Sequence, residues 1–147
     1  MVKIRVEVEV RPTEDENKVR RSLLNVFEPD TIRREKYGDR ILLVAESRSF
    51  RSLRKLHNLL RREKILDAAR SYLLKGVSEN TIMFKLNKQA AYMGRLSFVD
   101  MDVEAPMGPI LFIIEAEKPM EVIDWLAPPT RMGKPIYEKE EPMSDDI

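Results

Sequence analysis

Between Ser47 and Gly76 the chain concentrates cations. Arg48, Arg51, Arg54, Lys55, Arg61, Arg62, Lys64, Arg70 and Lys75 face only Glu63 and Asp67 there. Whole-chain charge hides this, because 26 basic and 25 acidic residues leave a formal net charge of +1. Projected on a helix, Arg51, Arg54, Lys55, Asn58 and Arg62 follow the i, i+3, i+4 rule and form a polar stripe. Phe50, Leu53, Leu56, His57 and Leu60 make the mostly apolar opposite face. Clustered cations gain free energy with a polyanion by releasing its counterions, so the stripe predicts RNA as the partner, with Arg51, Arg54, Lys55 and Arg62 positioning phosphates. A second reading stands beside it. The stripe could instead be a solvated face paired with Glu14, Asp15 and Glu16, or a protein–protein adaptor surface docking an acidic partner or the chain's own Glu138, Glu140, Glu141, Asp145 and Asp146.

The stretch Asn87 to Gly94 is the other candidate. Asn87 and Gln89 offer donors and acceptors to base or sugar edges, Lys88 a phosphate contact, and Tyr92 a stacking plane. The competing reading makes Asn87 a helix cap and Tyr92 a core residue. The consensus of the RNA-recognition motif is not met, since the exposed aromatic pair it needs is absent.

Other chemistries lose their usual residues. With no cysteine there are no disulfides, thiol nucleophiles or sulfur-ligated metals. Gly38, Gly76, Gly94, Gly108 and Gly133 are too dispersed for a dinucleotide or P-loop fingerprint. His57, the one imidazole, falls on the apolar side of the basic helix and reads as a packing residue, not a general base. Asp100, Asp102 and Glu104 alternate as a calcium loop would, but Ala105 and Leu111 stand where that loop needs Gly and Glu. The expectation is a noncatalytic protein with no cofactor and no metal.

Elements that position these residues follow from pattern. Val2, Ile4, Val6, Val8 and Val10 alternate with charged residues, the period-two signature of a half-buried strand. Thr13 is placed to cap a helix with Glu16 completing a capping box, and Val19, Leu23, Leu24, Val26 and Phe27 form its buried side. Gly38-Asp39 predicts a hairpin turn between strands 31–36 and 40–46. Ser47 or Ser49 caps the cationic helix, a bend near Arg62 and Glu63 leads to a second helix over 64–74, and Gly76 closes it. Strands over 81–86, 95–99 and 110–116 and a helix from Pro119 complete the order.

That order predicts an α+β fold: residues 1–127 as a single domain with helices packed on one face of a mixed or antiparallel sheet, then a flexible acidic tail over 128–147. The open sheet face would show Lys3, Arg5, Lys85 and Arg95, a second cationic surface. No apolar run reaches about 18 residues and no basic, apolar leader is present, so a soluble, cytoplasmic protein is expected. Abundant Lys, Arg and Glu without Cys suits heat adaptation. Nothing in the sequence sets the oligomeric state or the RNA target.

Several words along the chain carry a family resemblance: Ile65-Leu66-Asp67-Ala68-Ala69-Arg70, Asn80-Thr81-Ile82, Asn87-Lys88-Gln89-Ala90-Ala91 with Gly94, and Pro106-Met107-Gly108-Pro109-Ile110. Together they resemble an archaeal family catalogued as uncharacterised protein family two-hundred-one and described as RNA-binding or exosome-associated. The resemblance implies an α+β fold similar to large-subunit ribosomal protein five and a place near RNA-processing machinery. It implies no catalytic residues.

Overall fold

The computed structural model describes residues 1–101 and 108–144. Strand β1 (Val2–Val10) buries every even residue and leaves every odd one part-exposed, as its alternation requires. Helix α1 (Glu16–Val26) is capped by Asp15, whose carboxylate accepts from the Asn17 amide at 2.9 Å. Thr13 is therefore not the cap. Glu14 is diverted too, its carboxylate accepting from the Arg11 amide at 2.9 Å.

Strands β2 (Thr31–Tyr37) and β3 (Arg40–Ser47) form the expected hairpin, with Gly38 at φ 64° in the region that favours glycine. Ser49 opens a single 3₁₀ turn, Phe50–Leu53, which runs into helix α2 (Arg54–Arg62). A bend at Lys64 (φ 57°) separates α2 from helix α3 (Leu66–Lys75). Gly76 ends α3 because the sheet lies against it: a Cβ there would stand 1.8 Å from the Met83 carbonyl oxygen. Strand β4 (Val77–Ser78), strand β5 (Thr81–Asn87) and the short helix α4 (Lys88–Tyr92) follow. Strand β6 is only Phe98–Val99, shorter than expected because Arg95 bonds back to the Ala90 carbonyl and leaves the ladder. Strand β7 (Pro109–Ala116) and helix α5 (Pro119–Leu126) close the domain.

The sheet runs β2-β3-β1-β7-β5-β4, with β6 beside β5, and every pair is antiparallel. The fold is thus a single α+β domain with its sheet wholly antiparallel. Its helices cover the face carrying Ile4, Val6, Val8, Leu43, Ile82, Phe84, Ile110 and Phe112, all buried. Phe112 stacks on Phe84 at 4.7 Å and meets Phe27 edge-on at 5.8 Å, joining β7 and β5 to the end of α1.

Over 128–144, within the stretch where a loose tail is the sequence expectation, the described residues make defined contacts. Strands β8 (Thr130–Arg131) and β9 (Lys134–Pro135) form a small hairpin. The Thr130 hydroxyl bonds Asp67 on α3, and Ser144 accepts from the Phe50 amide at 2.9 Å. Carboxylates between these anchors sit on arginines of α2, which is why the acidic composition does not leave the segment unattached.

Candidate nucleic-acid interface

Helix α2 turns Leu56, Leu59 and Leu60 into the core and presents its polar arc to two different neighbours. On one side Arg54 forms a forked pair with Glu141 at 2.6 and 3.2 Å, and Arg61 a forked pair with Glu138 at 3.1 and 2.7 Å. Arg61 also donates to the Trp125 and Leu126 carbonyls, and Arg70 on α3 pairs with Asp124 at 2.9 Å. Arg51, on the preceding turn, lies 3.9 Å from Asp30. This half of the stripe is neutralised by the chain's own acids.

The other side is open. Lys55, Asn58 and Arg62 line a cleft of about 360 Å³ with Asn25 of α1 and Gly94 after α4. Lys55 Nζ donates to the Leu24 carbonyl at 2.9 Å, and an Arg62 terminal nitrogen to the Gly94 carbonyl at 2.7 Å. Both charges are held in place by neutral acceptors, which fix position without cancelling charge. Asn25 ties the walls together, its amide donating to the Ala91 and Tyr92 carbonyls at 2.9 and 3.2 Å.

Across α4 lies a second cleft of about 460 Å³, whose lining mixes Lys18, Gln89, Tyr92 and Met93 with the carboxylates Glu14 and Asp15 and the buried Lys88. Lys18, Arg21 and Asn25 fall along one stripe of α1, and Arg95 follows Gly94. Among the described residues, Lys18, Arg21, Lys55, Arg62 and Arg95 form no ion pair with a carboxylate.

Of the residues singled out from sequence, Lys55, Arg62, Gln89 and Tyr92 border these adjacent clefts. Arg51 and Arg54 belong to the neutralised side. Two are committed to structure. Asn87 caps α4, its side-chain oxygen accepting from the Ala90 amide at 2.8 Å. Lys88 is a correction: only 3% of its side chain is exposed, and its ammonium donates to the Glu9 carbonyl at 2.7 Å and to Glu14 at 2.9 and 3.2 Å. It cannot reach a phosphate without vacating a buried ion pair. Asn25, Arg21 and Lys18 were missed; their i, i+3, i+7 spacing is legible, but the cleft beside them comes from the Gly94 turn closing on α2.

His57 packs face to face on Trp125 with ring centroids 5.0 Å apart, as a packing residue should. Burial, and then the nearby Arg61 guanidinium, hold its imidazole below the ordinary value of 6.5. An unfolded chain protonates this group first, so neutral burial favours folding above about pH 6.5 and that contribution fades as pH falls through the lower folded value. A His57→Gln chain should therefore lose melting temperature less steeply than the wild type between about pH 7 and 5; parallel curves would show that His57 contributes no pH dependence.

The acidic run falls partly outside the described residues, where Asp102 and Glu104 lie. The nearby Asp100 carboxylate holds the Tyr72 hydroxyl above its ordinary value of 10, and among the described residues no three metal-ligating side chains converge. The expected second cationic surface is also corrected. Lys3, Arg5 and Lys85 do stand on the open sheet face, but Glu7, Glu9, Glu46 and Glu115 share it, and Arg95 lies off the sheet. No helix among the described residues is long and apolar enough to cross a membrane.

Residues 3–116 match a family model described as RNA binding. A UPF0201 protein of Sulfurisphaera tokodaii is 50% identical over 145 residues, covering 99% of this chain and 100% of that one. One from Aeropyrum pernix is 53% identical over 142 residues, covering 96% and 95%. The crystal structure of a UPF0201 protein from Methanococcus jannaschii superposes with a TM-score of 0.80 at 37% identity, over 92% of this chain and 99% of that one. With full-length relatives at this identity and the same fold, the chain belongs to the archaeal UPF0201 family.

Proposed function

We propose that this protein binds structured RNA without catalysis, gripping the phosphate backbone at the cleft between α1, α2 and the Gly94 turn. The observation that carries this reading is the pair Lys55 and Arg62, cations beside an open cleft that among the described residues are anchored by backbone carbonyls and no carboxylate. The description of the matching family model as RNA binding supports the same class of partner. Rigid helices bearing spaced cations suit a duplex backbone, which is recognised by shape and phosphate position. Gln89 and Tyr92, bordering the adjacent cleft, supply an amide and an aromatic plane for nucleotides at its edge. In this reading the protein is an accessory factor in RNA processing.

The adaptor reading keeps one observation in its favour: Glu138 and Glu141 already sit on Arg61 and Arg54, so that half of α2 accepts carboxylates. A salt titration separates the two. Binding of a fluorescent hairpin RNA to the full chain should weaken with salt at a log–log slope of roughly −2 to −4, as two to four neutralised phosphates require. Absence of RNA binding even at low salt would reject the RNA reading and leave the adaptor one.

A further inference from the structure

The face of the sheet opposite the helices, a feature independent of the RNA reading, carries apolar strand residues that no helix among the described residues covers. An antiparallel sheet with one wet face shows strands that alternate apolar and polar residues, whereas continuous apolar runs mark strands covered on both sides. β1 alternates, but its neighbours do not: β3 carries Ile41-Leu42-Leu43-Val44-Ala45 and β7 carries Ile110-Leu111-Phe112-Ile113-Ile114. Register with Glu7 and Arg5 of β1 places Val44, Leu111 and Ile113 outward, and Met83 of β5 joins them beside Ile113. Val44 is already 0% exposed, although it faces away from the helices.

Charge on this face has an order. Along β1 the outward residues read Lys3, Arg5, Glu7, Glu9: two cations, then two carboxylates. That row of signs is complementary to itself turned end for end, and Arg5, which within one chain lies 2.5 Å from Glu7 and 3.9 Å from Glu46, can exchange its own Glu7 for that of a second copy. We propose that the open sheet face is an interface with a second copy of this chain, packed sheet on sheet about a two-fold axis that lies between the sheets, across the strands and between residues 5 and 7 of β1. That axis sets Arg5 opposite Glu7 of the second copy, Lys3 opposite Glu9, and Leu111 opposite Ile113. A two-fold running along β1 parallel to the strands would set Arg5 against Arg5 and Lys3 against Lys3, and like-charge repulsion disfavours it. Five strands of seven to nine residues, at about 3.3 Å per residue and about 4.8 Å spacing, give a face of roughly 600 Å² per copy, at the lower end of the ~600–1,000 Å² per partner of a standard stable interface. Arg5 and Glu7 lie nearest the axis, where the ~30° crossing of packed sheets displaces opposed residues least. In this arrangement the clefts around α2 stay on the outer surfaces of the dimer.

Sedimentation velocity of the full chain and its variants tests this. The wild type should sediment as a dimer, Arg5→Glu and Glu7→Arg should each sediment as monomers, and an equimolar mixture of the two should recover a dimer. Recovery is the diagnostic result, since each variant alone sets like charges against each other and the mixture sets opposite ones. A monomeric wild type, or charge variants that remain dimeric alone, overturns the proposal. Should either charge variant lack a folded circular dichroism spectrum, Ile113→Thr serves instead, keeping a β-branched residue on the strand while removing apolar contact. It should weaken the dimer about tenfold, and an unchanged dissociation constant counts against the face as decisively.

Discussion

Replacing Lys88 by alanine should lower the stability of the fold by about 3–5 kcal/mol, the usual cost of stripping one partner from a buried ion pair. The Glu14 carboxylate it pairs with is 12% exposed, so its charge would lose an ammonium where water cannot fully replace it. The same ammonium bonds the Glu9 carbonyl at the end of β1, so Lys88 fastens the start of α4 to β1 and to the turn entering α1. Replacing both partners, Lys88→Met with Glu14→Gln, should recover most of the loss, because the isolated charge and not the missing attraction is the larger penalty. Urea unfolding of the two single variants and the double one gives the cycle. A loss below about 1 kcal/mol for Lys88→Ala would place this pair with ordinary surface bridges and against its burial.

Lys88 also shows where sequence reasoning stops. Lys-Gln-Ala-Ala-Tyr is polar, amphipathic and short, and a lysine in such a run is ordinarily solvated. Its burial depends on Glu14, 74 residues away, and on a carbonyl of β1; no local pattern encodes that meeting. Local patterns succeeded wherever one strand or helix determined the outcome. The Val2 to Val10 alternation gave β1 its inner face, and Gly38-Asp39 gave the β2–β3 hairpin because a positive φ was needed there. At the start of α1 the cap is Asp15 and not the expected Thr13, with Glu14 turned toward Arg11 and Lys88. Helical projection placed Arg54 and Lys55 on a common stripe correctly as geometry. What divides them is tertiary: the chain after β9 returns along one flank of α2, while the Gly94 turn opens a cleft on the other.

Reversing both cleft charges, Lys55→Glu with Arg62→Glu, should reduce affinity for hairpin RNA by roughly 50-fold or more near 0.1 M salt and flatten the log–log salt slope by about 2, because each phosphate contact contributes close to one unit of slope. Neither side chain holds a carboxylate, so the variant should unfold at nearly the wild-type temperature, which separates lost binding from lost fold. The flank occupied by the tail predicts the opposite sign. Neutralising Glu138 and Glu141 to Gln removes the carboxylates paired with Arg61 and Arg54, leaving Arg61 held by backbone carbonyls and Arg54 with no ion pair among the described residues, so RNA able to reach that flank should bind several-fold more tightly. The two results together locate the contact. A loss from the cleft variant without a gain from the tail variant confines RNA to Lys55 and Arg62. A gain with no loss moves it to Arg54 and Arg61, where the carboxylates would be acting as competitors for phosphate. If fluorescence anisotropy shows neither change while RNA still binds, both flanks of α2 are excluded and the cations of α1, Lys18 and Arg21, become the residues to reverse.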